Sequence, residues 1–154
     1  MEKSTLRKAT YILAVLSPFV PWVYGSYGDN VTVFFSFGFL DFVTNTAPGL
    51  PRHQIHFVDI YSYTFDLTNG AFTGFYWFWH IALLLTVLGI VTLYLGRRRI
   101  SGLLFVVASL GVLRLTMGLG RPPQGFVVPV GLPWLLVTGL MVFYRHRLTD
   151  NPTT

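Results

Sequence analysis

FYWFWHIALLLTVLGIVTLYLGRRRISGLLFVVASLGVLRLTMGLG (75–120) carries the reading of the fold. An aromatic cluster, Phe75 to Trp79, leads into an almost unbroken run of Leu, Val, Ile and Thr. Arg97-Arg98-Arg99 ends that run, and a second apolar run follows at once. About 20 apolar residues are needed to cross a bilayer core as a helix, and tryptophan and tyrosine settle at its interfaces. The stretch therefore predicts two spans, about 73–96 and 100–118, folded as a tight antiparallel hairpin around the arginines.

Two further apolar runs flank this hairpin. Residues 9–25 form a short one, at the lower length limit for a span, with Trp22 and Tyr24 at its far end. A basic stretch precedes it, as in a signal peptide, but Pro18 and Pro21 interrupt it and Tyr24-Gly25-Ser26 is a weak cleavage site, so it is read as a retained anchor. Residues 126–144 form the other. The expected fold class is an all-α membrane protein: a four-transmembrane-helix bundle (9–25, 73–96, 100–118, 126–144) with a short two-stranded β segment on the outer side between the first two helices. The 154 residues are expected to form a single integral membrane domain.

Composition supports the reading. Hydrophobic residues make up 53% and charged residues 11% of the chain, against roughly 25% charged in an ordinary soluble domain. The net charge of +5 does not point to nucleic acid, because the cations sit in short clusters beside apolar runs. Of eleven Lys and Arg, eight lie with the termini and the 97–99 turn: Lys3, Arg7, Lys8, Arg97, Arg98, Arg99, Arg145 and Arg147. Arg52 and Arg121 lie on the other side with Asp29, Asp41, Asp59 and Asp66, and Arg114 is inside a span. The positive-inside rule then predicts a multi-pass protein of the cell membrane with both termini cytoplasmic. Cysteine is absent, which excludes disulfides, thiolate metal sites and cysteine nucleophiles.

The outer segment, 26–72, is rich in β-branched and aromatic residues. NVTVFFSFGFLDF (30–42) and QIHFVDIYSYTFDL (54–67) read as two strands, with TNTAPGLPR (44–52) as the loop between them. In the second, Ile55, Phe57, Asp59, Tyr61, Tyr63 and Phe65 alternate with His56, Val58, Ile60, Ser62, Thr64 and Asp66. A short re-entrant helix over 31–43 is the alternative for the first.

Few residues invite chemistry. Arg114 lies about 6–8 Å inside the third span, where a cation is costly and needs protein, water or headgroups around it. It reads either as a clamp that snorkels or bonds carbonyls, or as a ligand site paired with Asp59 or Asp66. His80 lies at similar depth in the second span, as a neutral bundle histidine or the second wall of a polar pocket. Pro18, Pro21, Pro129 and Pro133 make the outer halves irregular. His53, His56 and Asp59 superficially resemble metal ligands, but in a strand His56 and Asp59 face opposite ways, so no metal or cofactor is expected. Asn30-Val31-Thr32 is a glycosylation sequon. The spans contain no Asp or Glu, which argues against a proton relay. Gly102, Ala108, Ser109, Gly111, Gly131 and Gly139 are spaced for close helix packing.

LSPFVPW (16–22), VFFSFGFLDF (33–42), VDIYSYTFDLTNG (58–70), GLLFVVASLGVLRLTMGL (102–119) and VVPVGLPWLL (127–136) follow in an order that resembles a family of small, uncharacterised four-helix membrane proteins from halophilic archaea. The resemblance implies four spans, an outer segment after the first and no assigned activity, with Arg114 in Leu113-Arg114-Leu115 as a family position. The basic balance departs from the acid-rich surfaces typical of halophile proteins. Aromatic outer strands above four spans also look architecturally like claudins, whose signature cysteine pair is missing here.

The leading functional expectation is a non-enzymatic membrane scaffold or accessory subunit. Its aromatic outer segment, through Phe35, Phe37, Phe39, Tyr61, Tyr63 and Phe65, would recognise a protein partner, a glycan or neighbouring copies in a homo-oligomer. The alternative is a small binder or transporter of an anionic or amphiphilic ligand, through an outward-facing polar cavity at Arg114 and His80. No nucleophile–base pair supports an enzyme.

Overall fold

The computed structural model describes residues 3–44, 51–61, 77–119 and 125–150. α1 (Lys3–Leu16) opens the chain. It stops where Ser17-Pro18 begins, because proline disfavours helical backbone in the residue before it and has no N–H to give. Ser17 turns its hydroxyl back to the Leu13 carbonyl at 2.8 Å. Instead of continuing as the expected span, the chain enters a sheet at Trp22, whose N–H donates to the Phe34 carbonyl at 2.7 Å.

Four strands follow: β1 (Val23–Tyr27), β2 (Asn30–Phe34), β3 (Gly38–Thr44) and β4 (His53–Asp59). Gly28, at φ +60, takes the left-handed backbone that a two-residue hairpin turn requires between β1 and β2. Phe35 N–H to the Gly38 carbonyl at 2.7 Å closes the turn between β2 and β3. After α2 (Trp77–Tyr94) and α3 (Arg98–Leu119), β5 (Gly125–Val128) returns and α4 (Gly131–Asp150) follows. The sheet is antiparallel throughout, in the order β4-β3-β2-β1-β5.

These elements correct the expected fold class. The protein is mixed α/β, with a five-stranded sheet in place of two outer strands, and it is not an all-α four-transmembrane bundle. Two of the four expected spans dissolve. Residues 23–25 of the first belong to β1, and residues 126–128 of the fourth belong to β5. What remains is α1, 14 residues, and the apolar stretch Gly131–Tyr144 of α4. A 14-residue helix is about 21 Å long, short of the roughly 30 Å hydrocarbon core. Residues 31–43, offered alternatively as a re-entrant helix, are β2, a turn and β3.

α2 and α3 agree with the sequence reading. At 18 and 22 residues they are long and apolar enough to cross a membrane. Only 28% of the apolar window of α2 and 44% of that of α3 is buried within the protein. A soluble core helix would bury most of such a surface. The turn joining them is a Schellman cap: Arg97 N–H reaches the Thr92 carbonyl at 2.9 Å, Gly96 N–H reaches Leu93 at 3.1 Å, and Gly96 sits at φ +79.

On α2, buried Trp79, Ala82, Thr86, Gly89 and Leu93 recur every three or four residues and face α3. Ser101 Oγ donates to the Gly89 carbonyl at 2.7 Å across that seam. α3 is the central helix, with α4 on its other flank. There Gly139 faces Gly102 so closely that a Cβ on Gly139 would stand 2.9 Å from the Gly102 carbonyl oxygen. α1 packs on α4, where the Trp134 indole N–H reaches Leu13 O and Ser17 Oγ, each at 3.2 Å.

Candidate functional site

The register sorts the sheet residues onto two faces, since side chains alternate along each strand. One face meets the helices. Its first cross-strand row, Val23–Phe34–Phe39–Val58, closes over Trp79. Phe34 meets the Trp79 ring edge-on at 5.5 Å and Phe39 lies at 6.3 Å. The Trp79 indole N–H donates to the Phe35 carbonyl at 2.8 Å. One row further out the same face turns polar, as Thr32–Asp41–His56. The Thr32 hydroxyl donates to Asp41 Oδ1, and His56 Nε2 lies 3.0 Å from Gln54 Oε1.

The opposite face is apolar apart from Ser26, and its residues are exposed or half-buried. Two rows run over all five strands: Phe57–Leu40–Val33–Tyr24–Val128 and Ile55–Phe42–Val31–Ser26–Phe126. None of these ten residues is buried. Ile55 is 66% exposed, Phe57 55% and Phe126 54%. Phe37, in the β2–β3 turn, extends the patch toward the helices, stacked on Phe35 at 5.6 Å and 6.3 Å from Phe57. Tyr24 stacks on Phe126 at 5.8 Å, so the β1–β5 end is also held in place.

The expected interface residues divide. Phe37 and Tyr61 are exposed and Phe35 is half-buried, whereas Phe39 is buried against Trp79. Tyr63, Phe65 and Asp66 lie outside the described residues. The alternation in 54–67 puts Ile55 and Phe57 on one side, as the register does. Their partners Phe42, Leu40, Val33, Tyr24 and Phe126 are not visible in the sequence, because only the register of four pairings assembles them.

Arg114 and His80 do not converge. The Arg114 guanidinium is exposed and stands 5.5 Å from the centre of the Phe78 ring. His80 follows Phe78 by two residues, which turns it about 160° away around α2. Its ring lies 6.0 Å from that of Trp77. Asp59 is exposed at the helix-proximal end of β4, paired with Gly38. Asn30 Oδ1 accepts from the Thr44 N–H at 3.0 Å, and Thr32 of the same sequon is buried. His53 and Asp59 share one face of β4 and His56 takes the other. Among the described residues no three His, Asp or Glu side chains are placed to hold a metal ion.

The chain matches no curated protein. The family described as a domain of unknown function (DUF8050) matches residues 1–152, in agreement with the resemblance to an uncharacterised family, and the chain belongs to it.

Proposed function

We propose that the protein is a non-enzymatic membrane scaffold whose α2–α3 hairpin crosses the bilayer and holds the sheet at the outer surface for another protein chain to dock on. The observation that carries this reading is the pair of largely apolar rows across the sheet, in which Ile55, Phe57, Phe42, Phe126 and Val128 are exposed. Fully burying a Val, Leu, Ile or Phe side chain gains about 1.5–3 kcal/mol. Holding a patch of this width in water is therefore costly, and contiguous patches of that kind mark interaction sites.

Orientation follows from charge. Trp79 ties the start of α2 to the sheet, so the Arg97-Arg98-Arg99 turn lies at the far end of the hairpin. The positive-inside rule assigns this end to the cytoplasm and the sheet to the outside. A ligand pocket built from Arg114 and His80 has less support, since the two point to different sides of the hairpin.

The test exploits the lack of cysteine. Ile55→Cys, labelled in native membranes with a photoactivatable maleimide, is expected to give a discrete protein adduct of defined mass. Adding Phe57→Asp, which puts a charge at the centre of the patch, is expected to remove most of it. An Ile55→Cys variant whose thiol reacts with a water-soluble maleimide yet forms no adduct would sink the docking reading.

A further inference from the structure

Arg114 has surroundings that suit neither a clamp nor a pocket. It sits five residues before the end of α3 at Leu119, about 7 Å below the helix end. Its neighbours on the same helix, Leu110, Leu113 and Met117, are all exposed and apolar. Across the seam, a Cβ on Gly111 would stand 2.9 Å from that of Ala82 and 3.3 Å from the Phe78 carbonyl. That close approach carries Phe78 beneath the guanidinium one turn further along α3. Trp77, the residue before Phe78 on α2, is exposed.

On the membrane reading above, on which this inference rests, Arg114 faces lipid just inside the outer interface. A guanidinium carries five N–H donors in one plane and accepts nothing. The Phe78 ring offers its π face to the cation but no acceptor for those donors. At this depth an arginine side chain snorkels outward along the apolar surface to the headgroup layer. The oxygens it meets there belong to phosphate esters, whose geometry matches the guanidinium fork. We infer that Arg114, seated on Phe78, is a binding site for the headgroup of an anionic phospholipid in the outer leaflet. A soluble anion is the poorer fit, because the ligand must reach a cation flanked by Leu113 and Met117 and tethered chains would lie against those residues.

Reconstitution into vesicles of dibromo-phosphatidylglycerol or dibromo-phosphatidylcholine tests this through quenching of tryptophan. Trp22 and Trp79 are fully buried, so lipid-dependent quenching reports mainly on exposed Trp77 and half-buried Trp134. In mixtures with unbrominated phosphatidylcholine, the wild type is expected to prefer the anionic lipid about fivefold, the effect of one basic residue at a membrane surface. Arg114→Gln should abolish the preference, and Phe78→Leu should weaken it while leaving the charge. Arg114 is exposed, so the glutamine variant is not expected to fail to fold. Equal quenching by the two lipids in the wild type, or an unchanged preference in Arg114→Gln, overturns the site while leaving the membrane reading intact. Loss of the preference on adding inorganic phosphate at constant ionic strength would assign the contact to a free anion and also overturn it. Absence of quenching by either lipid would mean that the hairpin is not inserted, and the site would fall with it.

Discussion

Trp79→Ala is expected to release the sheet from the helices. The indole is fully buried, covered by Phe34 and Phe39, and bonded to the Phe35 carbonyl. Removing a buried aromatic side chain costs about 3–5 kcal/mol, and losing the part-buried hydrogen bond adds about 0.5–1.5 kcal/mol. Hydrogen exchange would resolve where the loss falls. The amides of Trp22, Phe34 and Phe39 should lose protection, while those of the α2–α3 seam near Ser101 keep most of theirs. Trp79→Phe, which retains an aromatic ring, should lose less, through the hydrogen bond, about 0.5–1.5 kcal/mol, and the small cavity left by the missing ring. Equal protection of sheet and helices in the alanine variant would show that other contacts, such as the Gly131–Trp22 bond, suffice to join the two layers.

Gly139→Leu is expected to have the second-largest effect. The place its Cβ must take lies 2.9 Å from the Gly102 carbonyl oxygen and 2.9 Å from Val106 Cγ2. Val106 can give way, but the Gly102 oxygen is helix backbone and can move only with α3. Overpacking of this kind costs about 1–3 kcal/mol, and more where backbone must shift. The displacement should reach the sheet, because α4 is bonded to the start of β1 at its first residue: Gly131 N–H donates to the Trp22 carbonyl at 2.9 Å. Faster exchange at Leu135 and Val142 together with Trp22 would show that coupling. Gly139→Leu with wild-type stability in mild detergent would mean that α4 slides freely on α3.

The hairpin is legible in the sequence because nothing competes with it. Two long apolar runs separated by Leu95-Gly96-Arg97 have room for helices and no proline inside them. The small residues read as packing positions are where α2, α3 and α4 meet, as at Gly102, Gly111 and Gly139. The sheet is only half legible. VYGSY and GFVV are hidden because each adjoins an apolar helix, and a short apolar run does not distinguish a strand from a helical segment by period. Pro21 and Pro129 mark both breaks, but a kink in a continuous span accounts for a proline equally well. NVTVFFSFGFLDF looks like one strand; its alternation fails at Ser36-Phe37-Gly38, where the chain reverses. The largely apolar face is least visible, since it is assembled from positions more than 100 residues apart, Tyr24 and Phe126 among them. Arg114 announces itself as a lone charge in an apolar run, whereas its seat on Phe78 depends on the packing of α2 against α3.

The placement of β5 bears on how the protein is made. By residue 59 four strands are present, and β1 still has its outer edge open. The strand that closes it, residues 125–128, leaves the ribosome only after α2 and α3 have been synthesised. Throughout that interval β1 is an unpaired edge able to accept any other extended chain. A messenger truncated between α3 and β5 would yield a product whose β1 edge stays open and whose α3 lacks its α4 flank. Pairing of β5 with β1 therefore closes that edge only once the last part of the chain has been made.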